Sequence, residues 1–467
     1  MFTTDCKFLE NELMDVVRLF KRRPEELSHS FRLEEGAFCN DFMVDGKAYS
    51  FKDEGQVCDE LELKRLERRF AKLALYEILS ELYGEKMPWG ALTGIRPTKL
   101  AYMEEENGRD FKTLFRRMQV SEENIRLVED ILNTQKGIYE KKDGNTDLFI
   151  SLPFCPTKCA YCSFITAPIE KTRHFVPEYL NCLEKELQAA KESVGNLRSV
   201  YIGGGTPFAL DAPDLERVLK ATAPILRNSK VGTEYTVEAG RPDVFTEEKL
   251  SILQGYGVNR ICINPQSFSD ETLQKIGRKH TEADIYRAFE MSKKYNFIIN
   301  VDLIAGLTDE TPETFIQSVE KAVETGADNI TVHCLSLKSG AKLKEDAIKT
   351  ETKEENIYIE NDFISTMVST SREILSKNGY APYYMYRQKY QVGNNENVGW
   401  TKPNKACVYN IDIMEETADN LAVGANAVSK RVYNDVGLIT RLASQKDLKT
   451  YMASVDEIIT KRRKFFE

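Results

Sequence analysis

The chain has 467 residues, 42% of them hydrophobic and 29% charged, which suits two or three domains with a sizeable core at roughly 150 residues per domain. Sixty-four Lys plus Arg against seventy-three Asp plus Glu leave a net charge of −9, which argues against broad nucleic-acid binding. No apolar run approaches the roughly eighteen residues of a membrane span, and the acidic stretch 1–15 lacks the charged start and apolar core of a signal peptide, so a cytoplasmic protein is expected. Ten cysteines without secretory context point to reduced thiols and metal chemistry, not to a disulfide framework.

Residues 1–143 read as an N-terminal α+β domain. A helical pattern opens it, and the alternating run 37–51 follows, with Asp45-Gly46 at the two-residue turn of a hairpin, where positive φ is required. Leu63, Leu66, Phe70 and Leu73 form a 3–4 stripe ending at Gly84, an amphipathic helix over 59–83. The stretch 88–100 holds two glycines, two prolines, Trp89 and the cations Arg96 and Lys99. It reads as a loop that either lines a site or docks domains. Ile125, Val128, Ile131 and Leu132 mark a further helix before a polar linker at 141–146.

From 147 the pattern alternates strand and helix, the signature of parallel βα units. Strands are expected at 148–152, 199–203, 235–238, 260–264, 298–304 and 330–335. Six such units suit an incomplete barrel over 144–343, whose site would lie at the strand C-terminal ends. After 335 the alternation stops, and 344–467 is expected to be a helix-rich cap domain with a tyrosine-dense turn at 383–390. The basic run 461–464 reads as the cationic last turn of a helix.

The chemistry-bearing stretch follows the first of these strands: Cys155, Cys159 and Cys162 at C-x3-C-x2-C spacing. Three thiolates so close face one centre only if the backbone wraps a metal, and soft sulfur selects zinc, copper(I) or an iron–sulfur cluster. A structural zinc site wants four protein ligands, and no local Cys or His completes the set. Three ligands on a four-iron cluster leave one iron open. A zinc knuckle or coincidental cysteines are the bland readings. Gly203, Gly204, Gly205 and Thr206 end the second strand, where missing side chains let backbone groups approach a ligand; a tight turn is the bland alternative. Glu238 ends the third strand, where burial is costly without a partner. His280 reads as a packing residue, and His333 as either a core histidine or a functional one. Cys6, Cys39, Cys58, Cys262 and Cys334 read as small core residues.

The cysteine spacing, with Phe154 before it, Tyr161 inside it and Ser163-Phe164 after it, resembles the radical SAM superfamily and, within it, the oxygen-independent coproporphyrinogen III oxidase family. The string 93–100, TGIRPTKL, is similar to the N-terminal module of the family's HemZ-type branch. The resemblance implies an α/β fold, an incomplete (β/α)6 TIM-like radical SAM barrel. It implies a [4Fe–4S] cluster on Cys155, Cys159 and Cys162, with S-adenosyl-L-methionine (SAM) held at its amino group by Gly203, Gly204, Gly205 and Thr206 and at its ribose by Glu238. Tyr161 joins the cofactor contacts, and Gln266, Arg278 and Asp302 match residues that surround a second SAM in the oxidases.

The implied reaction is oxidative decarboxylation of tetrapyrrole propionates to vinyl groups in haem biosynthesis, fed by an electron donor such as a flavodoxin or ferredoxin. Propionates call for cations, and Arg96, Lys99, Arg241, Arg387 and Lys389 are the candidates. There are departures from the family pattern. Phe149 and Ser151 stand where the oxidases have tyrosine and histidine, and Gly240-Arg241-Pro242 replaces an Asn-Pro after Glu238. An alternative from another class is a haem-binding chaperone of the HemW type, whose tail histidine is replaced here by Tyr409, leaving Cys407 or a tyrosine as haem ligand. A radical SAM haem-degrading methyltransferase is a third option.

Overall fold

The computed structural model describes residues 2–467 except 56, 58, 95, 165–166, 228, 231, 337–340, 342–360 and 389–394. The chain divides into two compact units, residues 1–129 with 386–396 and residues 130–385 with 397–467.

The first unit is built on a four-stranded sheet of β1 (Phe2–Thr4), β2 (Leu27–Glu34), β3 (Ala37–Val44) and β4 (Lys47–Glu54), ordered β1-β2-β3-β4. The expected hairpin is present: Asp45 and Gly46 turn with φ of 46° and 80°, and Val44 pairs with Lys47. Helix Glu60–Tyr83 starts where Asp59 accepts the Glu62 N–H at 2.7 Å, an N-cap that satisfies one orphan donor. It lays Leu66 and Phe70 on Phe38 of the sheet. The stretch read as a loop is helical only in its last four residues, 97–100. Pro97 begins the helix Pro97–Glu106, because its fixed φ and missing N–H suit the first helical position.

In the second unit, β5 (Asn145–Leu152), β8 (Asn196–Gly204), β9 (Glu234–Gly240), β10 (Arg260–Gln266), β11 (Ile298–Ala305) and β12 (Asn329–Cys334) lie side by side in chain order. Each pairs in parallel with the next. These are the six strands expected, with ends within three residues of those read; β12 stops one residue short, at Cys334. The short pair β6 (Phe154–Cys155) and β7 (Ala167–Pro168) stands apart at the end of β5. Crossover helices bury apolar stripes at 3–4 spacing; Val176–Ala190, for example, hides Val176, Tyr179, Leu180, Leu183 and Leu187, as a helix covering a parallel sheet must. The six strands form the incomplete barrel expected, and side chains meet across its inner face: Arg260 on β10 bonds Asn329, two strands away on β12, at 2.7 Å.

The tail carries more than the helices expected of it. It carries helices Asn361–Lys377, Val408–Glu415, Leu448–Ala453 and Val455–Phe466, and it also supplies β13 (Ala381–Tyr386), β14 (Asn397–Thr401), β15 (Asp419–Val423), β16 (Val428–Tyr433) and β17 (Leu438–Ala443). Of the stretch 383–390 read as a tyrosine turn, 383–386 belong to strand β13, with Tyr383 and Tyr384 buried, and 389–390 lie outside the described residues. β14 pairs antiparallel with β12, and β15 pairs parallel with β5, so both edges of the six-stranded array are covered, as unpaired edges otherwise invite aggregation. Within the basic run, Arg462 is 4% exposed and ion-paired with the buried Glu186. The isolated cysteines Cys39, Cys262 and Cys334 are buried as expected, Cys6 is only partly so, and Cys58 lies outside the described residues.

The N-terminal end of the array holds a buried ionic network. Arg260, 2% exposed, meets Glu234 at 3.0 Å, Asn300 at 2.8 Å, Asn329 at 2.7 Å and the carbonyls of Lys405 and Ala406 at 3.0 and 2.9 Å. Glu234 also accepts the Val408 and Tyr409 N–H groups at 2.9 and 3.0 Å, capping the helix Val408–Glu415. Replacing Glu234 by Gln leaves a buried guanidinium without its counter-charge, and urea unfolding is expected to show a loss of about 3–5 kcal/mol.

Glu310, 2% exposed, accepts from Ser267 Oγ at 2.6 Å, and burial pushes its carboxyl up to about 7. A raised folded-state pKa means that the folded protein holds a proton the unfolded chain releases above its ordinary value near 4.5. Stability therefore falls as pH rises through that window, by about 3 kcal/mol in all. Glu310→Gln is expected to flatten this slope in unfolding curves taken at pH 5 and 8; an unchanged slope would show that another group carries it.

Candidate functional site

β5 runs out at Leu152, and the chain turns directly into the cysteine loop. Phe154 and Cys155 pair with Ala167 and Pro168, and Phe154 O accepts the Thr206 N–H at 2.7 Å. The loop is therefore pinned to the end of β8. Ala160 N donates to Ile276 O at 3.0 Å, and Tyr161 packs on Leu273, Ile276, Ile304 and Leu307, which pins it to the segments after β10 and β11 as well.

Cys155 lies 3.7 Å from Thr206 Oγ1. Burial pushes its thiol up to about 12, and Cys162 and Cys159 are close enough to raise it further while Arg241 opposes them. Cys162 is likewise raised, first by burial. Among the described residues no three His, Cys, Asp or Glu side chains converge as a single metal ion would require. A four-iron cluster does not ask for that, since each thiolate binds a different iron. Three neighbouring sulfurs on one loop fit such a cluster, and bound iron would supply the positive charge that buried thiolates need.

The glycine run has a different local reason from the one read in the sequence. A Cβ on Gly203 would lie 2.5 Å from Glu238 Oε2, and one on Gly205 would lie 2.5 Å from Phe154 O and 2.7 Å from Leu152 O. Glycine here admits the acid and the cysteine loop, so these positions shape the site whatever ligand their backbone meets. Ser151 follows the same logic. Its Oγ donates to Ala425 O at 2.7 Å and sits 2.9 Å from where a Gly204 Cβ would be.

Glu238 points into the concave face at the mouth of the array. Tyr201 Oη donates to its Oε1 at 2.6 Å. Burial raises the carboxyl to about 7, with Tyr201 lowering it and Asp302 raising it. Gln266, at the end of β10 with φ of 73°, is 8% exposed, and among the described residues its Oε1 has no hydrogen-bond partner. Neither has Oδ1 of Asn264. Orphaned buried acceptors at a strand mouth fit a ligand bearing donors. Arg278 ties this edge together: Nη2 donates to Tyr161 Oη at 2.9 Å and Nη1 to Asn264 O. Asp302 on β11 has His333 of β12 beside it, Nε2 to Oδ1 3.6 Å, both side chains about a quarter exposed at 26% and 23%. His333 thus faces the site, not an apolar core.

Cys155, Cys159, Cys162, Tyr161, Gly203, Gly204, Gly205, Thr206, Glu238, Gln266, Arg278 and Asp302 all lie in the second unit, most of them at or just beyond strand C-terminal ends, with Asp302 inside β11 and Arg278 after the helix Asp270–Lys275 that follows β10. Of the four described cations, Arg241 lies in the second unit and Arg96, Lys99 and Arg387 in the first. Arg241, 2% exposed, is held by Asp243 at 2.9 and 2.6 Å and by Thr157. The cation introduced by the Gly-Arg-Pro departure has found its carboxylate within the protein. Against the cost of burial, Arg241 keeps Asp243 below the usual carboxylate range. His280 is 2% exposed, and burial and then Arg278 push it down to about 3, so it packs as a neutral ring.

Arg387 belongs to the first unit, where it donates to the Leu92 and Gly94 carbonyls, lies 5.1 Å from the Trp89 ring and is lowered to about 9 by burial. Trp89 in turn donates to Glu396 at 2.7 Å. Arg96 and Lys99 sit at the start of helix Pro97–Glu106 in that same unit. Lys389 lies outside the described residues.

Sequence reasoning passed over Tyr201 and weighed Tyr409 only as a stand-in for a haem-ligating histidine. Tyr201 stacks on Tyr409 with centroids 4.4 Å apart and on Phe149 at 6.2 Å. Strand alternation held the signal, because Tyr201 is two residues before Gly203 and shares its face. Nothing local in the sequence signalled that a tail helix brings Tyr409 to the same place.

Residues 149–322 match the radical SAM superfamily. The chain is 35% identical over 397 residues to the Bacillus subtilis oxygen-independent coproporphyrinogen-III oxidase-like protein HemZ, covering 82% of this chain and 78% of that protein. It is 36% identical over 190 residues to the Bacillus subtilis haem chaperone HemW, covering 40% of this chain and 49% of that protein. Among solved structures, the Escherichia coli coproporphyrinogen III oxidase HemN shares the fold with a TM-score of 0.53 at 21% identity, over 67% of this chain and 69% of that one.

Gly205→Ala sets a methyl against two backbone carbonyls that cannot rotate away. The variant is expected to lose about 1–3 kcal/mol of stability by urea unfolding, and Cys155 to react faster with iodoacetamide as the loop lifts from β8.

Proposed function

Because the chain belongs to the radical SAM superfamily and, within it, to the HemZ-type branch of the oxygen-independent coproporphyrinogen III oxidase family, we propose that it removes CO2 from the propionates of a porphyrinogen and leaves vinyl groups. The observation that carries this reading is the joint placement of the three-cysteine loop, the glycine run with Glu238, and the Gln266–Arg278–Asp302 edge around one strand-end mouth.

When bound, a [4Fe–4S] cluster and SAM supply a carbon-centred radical that takes one hydrogen atom from the substrate. Cys155, Cys159 and Cys162 are the proposed cluster ligands. Gly203, Gly204, Gly205 and Thr206 are assigned to the amino group of SAM and Glu238 to its ribose hydroxyls, with Tyr161, Gln266, Arg278 and Asp302 completing the cofactor contacts. The rings of Phe149, Tyr201 and Tyr409 stack below Glu238 and would keep water from a reactive carbon centre. In the proposed substrate step, hydrogen leaves a propionate β-carbon, the bond to the carboxylate carbon breaks, CO2 departs and one electron passes to an acceptor. Arg96, Lys99, Arg241, Arg387 and Lys389 are the cations proposed for the carboxylates. Arg241 would have to exchange Asp243 for the substrate. A cytoplasmic setting and a flavodoxin or ferredoxin as electron donor complete the proposal. Among the described residues no helix is long and apolar enough to cross a membrane.

Similarity to haem chaperones makes haem carriage the alternative. Weighing against a tail ligand for haem, Cys407 is 0% exposed and its Sγ contacts Glu234 at 3.2 Å, while Tyr409 is stacked on Tyr201.

The test is anaerobic. Reconstituted protein with SAM, a reductant and coproporphyrinogen III is expected to release CO2 and form protoporphyrinogen IX. Stoichiometric haem uptake with no turnover would replace the oxidase reading by the chaperone one. Cys159→Ala is expected to abolish 5′-deoxyadenosine formation while its melting temperature stays close to that of the parent; undiminished formation would remove the cysteine from the ligand set.

A further inference from the structure

The acid assigned to the ribose is not held by its own strand alone. Glu238 Oε1 receives the Tyr201 hydroxyl at 2.6 Å, the short distance of a hydrogen bond to a carboxylate. Its other oxygen occupies the space that Gly203 leaves open. Tyr201 is a residue with a rotatable ring, and its aim depends on what flanks it. Tyr409 lies against one side at 4.4 Å and 21°, and Phe149 stands at 6.2 Å and 24°. Tyr409 is itself fixed, since its N–H and that of Val408 are bound by Glu234, which Arg260 anchors.

We infer that Tyr201 and Tyr409 are positioning residues for Glu238, with Tyr409 holding the Tyr201 ring and the Tyr201 hydroxyl fixing the rotamer and charge state of the carboxylate that meets the ribose. The inference rests on the assignment of Glu238 to SAM made above, and it extends the site to a helix of the tail. Neither tyrosine need touch the ligand. Each acts through its neighbour, so removal should alter how the acid binds a diol and not merely whether the fold survives.

Charge state enters because the ionisable groups around Glu238 are few and identifiable. Tyr201 faces it from β8, Cys262 from β10 and Asp302 from β11, and Tyr409 acts on it from the tail helix. His333 of β12 stands beside Asp302. Burial works against the anion and Tyr201 works for it. Removing the phenol should therefore shift ionisation to higher pH.

The experiment uses the full chain with its cluster reconstituted, and S-adenosyl-L-homocysteine as a non-reacting probe, with affinities measured anaerobically by equilibrium dialysis from pH 6 to 9. Affinity for the parent protein is expected to rise with pH as Glu238 ionises. Tyr201→Phe, which keeps the ring and the stack, is expected to weaken binding about tenfold at pH 8 and to move the midpoint of the profile upward. Against a Glu238→Gln background the same change is expected to do nothing further. Tyr409→Ala should reproduce the loss, and Tyr409→Phe should recover binding relative to it. If Tyr201→Phe leaves affinity and midpoint unchanged, or weakens binding equally with and without Glu238, the positioning role is wrong while the assignment of the site stands. A parent protein that fails to bind the probe would overturn both.

Discussion

Arg260 is the point on which the second unit turns. Its guanidinium sits at the closed end of a concave sheet, 2% exposed, with every donor committed to side chains of β9, β11 and β12 or to carbonyls of the tail. A buried cation costs several kcal/mol of desolvation and is tolerable only when so completely paired. That demand fixes the register of four neighbouring strands, because a slip of one residue would carry Arg260 to the opposite face. It also explains why the interior of this array is polar where a closed barrel would be filled with branched aliphatic layers.

From that anchor the constraint travels upward through named contacts. Glu234 caps a tail helix, the helix presents Tyr409, Tyr409 meets Tyr201, and Tyr201 bonds Glu238 at the open end. A second route runs along the outside. Tyr179 donates to Ser151 O at 2.7 Å and accepts from Ala425 N at 3.1 Å, and Glu186 is bound by Gly424 N, Tyr451 and Arg462. Both routes deliver tail residues to within a residue or two of the cysteine loop or the acid. The tail is in this sense part of the site's wall, and reading it as a separate cap would miss how the strand ends are held.

The sequence was most legible where local chemistry leaves a periodic trace. Six strands, the Asp45-Gly46 hairpin and helix Glu60–Tyr83 all follow from alternation, turn residues and caps that act within a few positions. The cysteine loop stood out by the spacing of Cys155, Cys159 and Cys162 alone. What was not legible depends on pairing across long separations. β15 joins β5 from more than two hundred residues away, and Arg387 serves Leu92 and Gly94 of the first unit from the tail. Arg241 illustrates the limit well: its charge was evident, but that Asp243 and Thr157 would claim it depends on a loop geometry that composition does not encode.

The flanking of the parallel array by β14 on one side and β15 on the other sets an order of events during synthesis. When β12 has emerged from the ribosome, β5 and β12 are still bare edges, and the Ala425 carbonyl that Ser151 needs has not been made. Non-local strand pairing of this kind is slow and exposes edges while it waits. The nascent array must therefore persist as an open, unsealed sheet until residues 397–443 arrive.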